Sequence, residues 1–379
     1  KYSEAWKKTR VACSKNFVYR IDTGEATPIV EPHRHFAPKT LEELKRLTRE
    51  LLEAGAIRRS TSNWLSQPVI VAKKDGSSRL CVDFRSLNAV TKSDPFNAPD
   101  AAAIIRQLGH SKLFVVMDLK NSFNQMKIHP DDRHKTAFWT PLGQMEWLGV
   151  PFGLLNGTSA LARWLYLNVI DLEGIAVYVD DIVIHADDES TLLKYFEAMM
   201  RRLCEIGAHV NVGKCKFGIE EIEFLGFNIR AGKLTPPVES INAINAIKVP
   251  HDTTTIRRFL GMVGYFRSFI QGFAEIAGPL YELLQKDTTF KMTTERLNAF
   301  HQLQKALTEC PTLTNPHPSW PYVLDTDAST TAIGACLMQM DDLHNLHPVR
   351  FGSRRLTAAE RNWPIYELEG FAVVHFILA

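Results

Sequence analysis

Apolar residues recur along the chain in two rhythms. Leu41, Leu44, Leu47, Leu51 and Leu52 follow helical spacing behind Thr40 and Glu43, a capping-box pair, and Gly55 is the expected stop. Two β-like runs follow, Pro68 to Ala72 and Arg79 to Phe84, split by a polar stretch whose Asp75-Gly76 predicts a hairpin turn. Lys112 to Ile128 reads as strand, turning polar around Asp118; Asp131 to Trp147 reads as a turn and two strands; Ser159 to Leu172 reads as helix. Ile175 to Val179 and Ile182 to Ile184 predict a β-hairpin with Asp180 and Asp181 at its tip. Ser190 to Ile206 predicts an amphipathic helix with Leu192, Leu193, Phe196, Met199, Met200 and Leu203 on its apolar side. After Pro236-Pro237 the pattern becomes helical over 238–310; a proline-rich connector spans 311–321, and Tyr322 to Met338 reads as strand, acidic turn, strand. The alternation predicts an α+β fold, with an extended lead-in over 1–38.

Composition narrows the class. The 379 residues are 45% hydrophobic and 23% charged, the balance of a globular protein with a large core. No apolar run reaches the 18 or so residues of a membrane span. Six cysteines (Cys13, Cys81, Cys204, Cys215, Cys310, Cys336) stand far apart with no C-x-x-C pair, which predicts reduced thiols and an intracellular protein. Net charge is +2, but the first hundred residues hold 18 basic and 12 acidic side chains. That bias suits a polyanionic partner, although charge alone favours a merely solvated surface. Residue 1 is Lys and the last nine residues are apolar, which reads as a piece of a longer polyprotein.

Four Asp-Asp pairs occur. Asp131-Asp132, Asp187-Asp188 and Asp341-Asp342 lie among polar neighbours and read as solvated turn acids. Asp180-Asp181 is flanked by apolar and β-branched residues, where two carboxylates suffer desolvation and mutual repulsion unless a divalent cation neutralises them. Asp118, ending the run Leu113 to Met117, is the natural third ligand, and such a triad suits two-metal phosphoryl transfer. Lys73, Lys74 and Arg79 flank the predicted hairpin turn and supply positive charge for a triphosphate.

These residues bring a family into view. Tyr178-Val179-Asp180-Asp181 resembles the Y-x-D-D motif of reverse transcriptases, and further stretches fit in order and spacing: Val71 to Ser77, Cys81 to Asn88, Met117 to Lys120, Lys135 to Phe138, Val150 to Leu154 and Phe224 to Phe227. From about residue 20 onward the chain resembles the polymerase of gypsy-type LTR-retrotransposon Pol polyproteins. Asn156 to Ala162 departs from that family's N-A-P-A-T-F-Q stretch, and Ser122 stands where Gly or Ala is common.

The resemblance implies a right-hand polymerase, with fingers and palm over 39–235, a helical thumb over 236–310, a linker over 311–321 and an incomplete RNase H-like α/β domain over 322–379. It implies Asp118, Asp180 and Asp181 as catalytic metal ligands for two Mg2+ (Mn2+ substituting). It places Lys73, Arg79, Phe123 and Phe152 at the dNTP, Phe123 as a steric gate, and Lys214 as a general acid. Leu225, Gly226 and Phe227 become a primer grip. Asp327 and Glu369 match half of an RNase H site, so no nuclease activity is expected. The implied partners are an RNA or DNA template with primer, dNTPs, and protease and integrase in a parent polyprotein; the implied location is cytoplasmic particles. The rival expectation is a decayed or domesticated copy that binds nucleic acid without polymerising.

Overall fold

The computed structural model describes residues 5, 11–72, 76–97, 100–286, 288–317 and 319–378. The chain divides into two compact units: Lys1–Ile104 with Leu113–Ile219, and Ile105–Lys112 with Glu220–Ala379.

The first unit begins with β1 (Val18–Tyr19), α1 (Pro38–Glu53), β2 (Ile57–Arg59), β3 (Gln67–Ala72), β4 (Ser78–Asp83), α2 (Arg85–Val90) and the first four residues of α3 (Ala101–Leu108), whose remainder belongs to the second unit. It continues with β5 (Leu113–Asp118), α4 (Ser122–Gln125), β6 (Lys127–Ile128), β7 (Met145–Trp147), α5 (Gly157–Val169), β8 (Ile175–Tyr178), β9 (Asp181–Ala186), α6 (Glu189–Ile206) and β10 (Lys216–Ile219). Its centre is an antiparallel sheet in the order β10-β5-β9-β8. Helices α5 and α6 pack on that sheet, and Leu161, Leu165, Met199, Met200 and Leu203 join Met117, Ile182 and Ile184 in one core. Ile182, Val183, Ile184 and Ala186 are buried along with His185, so beyond Asp181 β9 is buried on both faces instead of alternating. The predicted hairpin is present as β3 paired with β4, from Gln67↔Asp83 to Ala72↔Ser78. Its turn residues Lys73, Lys74 and Asp75 lie outside the described residues.

The second unit holds β11 (Ile222–Phe224), β12 (Phe227–Arg230), β13 (Lys233–Thr235), α7 (Val238–Asn245), α8 (Thr253–Tyr265), α9 (Phe273–Glu282), α10 (Thr294–Thr308), β14 (Leu313–Thr314), β15 (Tyr322–Ala328), β16 (Ala332–Met340), β17 (Leu346–Arg355) and α11 (Ile365–Leu378). Strands pair as β11-β12-β13-β14 and β15-β16-β17. A true capping box starts α8: the Asp252 side chain accepts from Thr255 N, and the Thr255 side chain accepts from Asp252 N. Phe259, Leu260, Val263, Phe300, Leu303 and Leu307 fill the helical core.

Several local expectations change. Helix α1 starts at Pro38 with Ala37 as its cap and no side-chain cap, because proline's fixed φ suits the first helical position; Thr40 and Glu43 therefore lie inside it. Lys112 to Ile128 breaks into strand, the short helix α4 and strand, and Asp131 to Trp147 holds one 3-10 turn (Pro130–Thr136) before β7. Leu193 is exposed, since it lies about 100° round α6 from the buried Leu192. Asp325 and Asp327 lie within β15, not in the turn, which falls after Ala328. The lead-in is built into the core: Tyr19 and Ile21 are buried, and β1 pairs in parallel with β6. Among the described residues no disulfide joins any of the six cysteines. Among the described residues no helix is long and apolar enough to cross a membrane.

Candidate polymerase active site

Register brings the predicted carboxylates together. In the β5–β9 pair Asp118 stands directly opposite Asp181, and in the β8–β9 pair Tyr178 stands opposite Asp181. Opposed residues on neighbouring antiparallel strands have Cα atoms about 4.5–5.5 Å apart, so Asp118 and Asp181 share one sheet end. Val179 and Asp180 form the connecting turn, with Val179 at φ 58°. A tight hairpin asks for a positive φ at that position, normally met by glycine. A β-branched residue held there is strained by about 1–3 kcal/mol, a cost that concentrates at functional turns. Asp118 and Asp180 are half-buried, and Asp181 is exposed. Partial desolvation of its carboxyl, then the charges of Asp180 and Asp118, push Asp181 above its ordinary range, and Lys214 acts the other way.

The segment after α6 closes over Asp118. Asn211 donates its backbone N–H to Asp118 O at 2.8 Å and its side-chain Nδ2 to Asp118 Oδ2 at 3.3 Å. Lys214, in the 3-10 turn Val212–Lys214, places Nζ 3.3 Å from the same Oδ2. On the other side, the buried Ser122 donates from Oγ to Asp180 Oδ2 at 3.3 Å.

A second cluster joins three of the four residues expected at the nucleotide. The Phe123 and Phe152 rings lie 4.9 Å apart, and the Arg79 guanidinium sits over the Phe152 ring at 4.6 Å. Phe123 is also backed by Gly157, where an added Cβ would come within 3.4 Å of its ring. Lys73, the fourth, lies outside the described residues.

Leu225 and Gly226 form the tight turn between β11 and β12, with φ of 48° and 68°. The Tyr265 hydroxyl donates to Leu225 O at 2.5 Å, and the Tyr265 ring stacks on Phe227 at 5.2 Å. That anchorage accounts for a leucine held at positive φ. Asp327 pairs with Gly334 on β16, and Glu369 lies on α11.

Three carboxylates on adjoining backbone segments are the hard oxygen donors that a magnesium-type cation takes. Among the described residues no three acidic, histidine or cysteine side chains converge closely enough to form a ready-made metal cluster. A magnesium-type ion takes few protein ligands and completes its shell with water and substrate phosphates. Ser122 and Asn211 were not legible as contacts of the carboxylates. Ser122 was marked only by its departure from the family pattern, and Asn211 only by lying three residues before Lys214.

Comparison with known proteins follows this geometry. The profile described as reverse transcriptase (RNA-dependent DNA polymerase) matches residues 71–229, and that of an RNase H-like domain found in reverse transcriptase matches residues 292–379. The chain is 31% identical over 328 residues to the transposon Tf2-3 polyprotein of Schizosaccharomyces pombe, covering 85% of this chain and 24% of that one. It is 33% identical over 374 residues to the retrovirus-related Pol polyprotein from transposon opus of Drosophila melanogaster, covering 93% and 37%. It thus spans well under half the length of either polyprotein. Among solved structures, a foamy viral protease-reverse transcriptase in complex with double-stranded DNA superposes with a TM-score of 0.90 at 25% identity, over all of this chain and 67% of that one. The expected fold, a right-hand polymerase with an RNase H-like region, is the one observed, and reverse transcriptases work with divalent metal ions. The chain belongs to the reverse transcriptase family, in the form found in retrotransposon Pol polyproteins.

Proposed function

We propose that this chain is an RNA-directed DNA polymerase, able also to copy DNA, that extends a primer 3′-hydroxyl with dNTPs. One observation carries the reading: Asp118 and Asp181 stand side by side across β5 and β9, with Asp180 in the adjoining turn. Asp118, Asp180 and Asp181 hold two Mg2+, for which Mn2+ substitutes. When bound, these ions acidify the primer hydroxyl and offset charge on the phosphate and leaving pyrophosphate. Arg79, with Lys73, binds the triphosphate. The Phe123 ring, held between Phe152 and Gly157, closes the space a ribose 2′-hydroxyl needs. Lys214 supplies a proton to the pyrophosphate. The turn Leu225-Gly226-Phe227 holds the primer backbone, and the helices of 236–310 act as a thumb that reads duplex shape rather than base sequence. In the parent polyprotein, protease and integrase accompany it, within cytoplasmic particles.

The test is primer extension on RNA and DNA templates, with Mg2+, with Mn2+ and with neither. Metal-dependent incorporation of dNTPs on both templates is expected. Tight primer–template binding with no extension under any metal would move the assignment to a nucleic-acid binder. Within the same assay, Phe123→Val is expected to lower discrimination against ribonucleotides about 10- to 100-fold. That factor corresponds to relief of the ~1–3 kcal/mol that overpacking a fitted site costs. An unchanged dNTP-to-rNTP ratio of kcat/KM would remove Phe123 from the gate.

A further inference from the structure

Resting on that reading of the site, we infer that Asn211 and Ser122 are positioning residues that aim the carboxylates of Asp118 and Asp180 at the cation. The argument starts from which oxygen each donor takes. Asn211 Nδ2 and Lys214 Nζ both approach Oδ2 of Asp118, and Ser122 Oγ approaches Oδ2 of Asp180, each at 3.3 Å. In each aspartate one carboxylate oxygen has a protein donor at 3.3 Å, which favours one orientation of the carboxylate plane. A free carboxylate rotates about its last bond, and fixing it removes the entropy that cation binding would otherwise have to overcome.

Asn211 is itself held. Its backbone N–H donates to Asp118 O at 2.8 Å, and its carbonyl accepts from Lys214 N at 3.0 Å and from the Cys215 thiol at 3.3 Å. The residue therefore bridges the end of β5 to the turn carrying Lys214, and places amide and ammonium on one carboxylate. The two donors differ in kind. The Lys214 side chain is 67% exposed and charged, so a bound cation repels it from Asp118. The neutral amide of Asn211 remains when that happens. Ser122 plays the matching part for Asp180 from within the protein: it is buried, and it immediately precedes Phe123 in α4. One short helix thus sets both a metal carboxylate and the nucleotide gate.

Outer partners of metal ligands are worth about 10- to 100-fold in metal affinity or activity. The experiment measures Mn2+ affinity of the full chain directly, by the electron paramagnetic resonance signal of free Mn2+, alongside melting temperature and the Mn2+ dependence of primer extension. Asn211→Ala is expected to weaken Mn2+ binding at least 10-fold with little change in melting temperature, and Asn211→Ser, which restores a short donor, to recover part of that loss. Ser122→Ala is expected to weaken it about threefold or more, with Ser122→Thr close to wild type. Asp118→Asn serves as the control. Loss of Mn2+ binding in Asp118→Asn together with unchanged affinity in Asn211→Ala and Ser122→Ala would overturn this inference alone. Retention of both Mn2+ binding and extension in Asp118→Asn would overturn the underlying assignment of the site.

Discussion

Asp180→Asn is expected to slow primer extension at least 1,000-fold, about 4 kcal/mol of lost transition-state stabilisation, while primer–template binding stays the same or tightens. The direction follows from charge. An amide keeps the size of the carboxylate but supplies one neutral oxygen, so the site loses affinity for a divalent ion where the phosphate must be neutralised. The same change removes a negative charge from beside Asp181, whose carboxyl Asp180 already disfavours in its ionised form. Binding of polyanionic nucleic acid therefore does not suffer. Folding stability should not suffer either, because like-charge repulsion between Asp180, Asp181 and Asp118 acts against the folded state until a cation arrives. The distinguishing measurement pairs extension rate with melting temperature in the absence of metal. A dead enzyme with an equal or higher melting temperature is the expected result. Extension within tenfold of wild type would refute the catalytic role of Asp180. A dead enzyme whose melting temperature falls by several degrees would show that the substitution acts on the fold.

How much of this site was readable beforehand depends on how local each signal is. The β8–β9 hairpin was readable because its signal is local: two apolar runs with an acidic dipeptide at the tip. Asp118 was readable because an acid ending an apolar run is a strand terminus. The direct opposition of Asp118 and Asp181 is a register between strands more than sixty residues apart, and no periodicity fixes such a pairing. The Asn211 and Ser122 contacts also join residues far apart in sequence, 93 and 58 positions, and their residue types are ordinary in turns and short helices. The start of helix α1 lies three residues before the expected one, with Ala37 and not Thr40 as its cap, because a capping-box pattern and a proline competed for one start, and proline's fixed φ prevailed. The strained φ at Val179 was unreadable for the opposite reason, because valine argues against the conformation it is made to hold.

Asp132 makes the same point about burial and carries the largest expected effect on stability. An Asp-Asp pair among polar neighbours reads as solvated, yet the Asp132 side chain is only 2% exposed. It accepts from Lys135 Nζ at 2.9 Å, from Arg20 Nε at 2.6 Å and from Ile21 N at 3.1 Å. Lys135 also donates to Ile21 O at 2.6 Å, so the pair fastens the lead-in strand to the body of the first unit. Burial alone would raise the Asp132 pKa; the Lys135 hydrogen bond, the Ile21 N–H and the positive charges outweigh it and hold the carboxyl below its ordinary range. Arg20 is 60% exposed and its attraction is screened, so the energy rests on Lys135 and Ile21. Removing one member of a buried pair leaves the other charge uncompensated, and Asp132→Ala is expected to destabilise the first unit by about 3–5 kcal/mol at pH 7. The double variant Asp132→Ala with Lys135→Met should lose clearly less than the single one, because no charge is then stranded. The sign with pH is set by the lowered folded pKa. The stabilisation is present above the pKa of an unfolded aspartate and is lost as pH falls through the folded value, so the gap between wild type and Asp132→Ala should close in acid. Denaturant titrations of the three proteins at pH 7 and in acid read all three expectations. A single-variant loss below about 1 kcal/mol at pH 7 would mean that Lys135 finds water once Asp132 is gone, and that the pair is not a structural fastening.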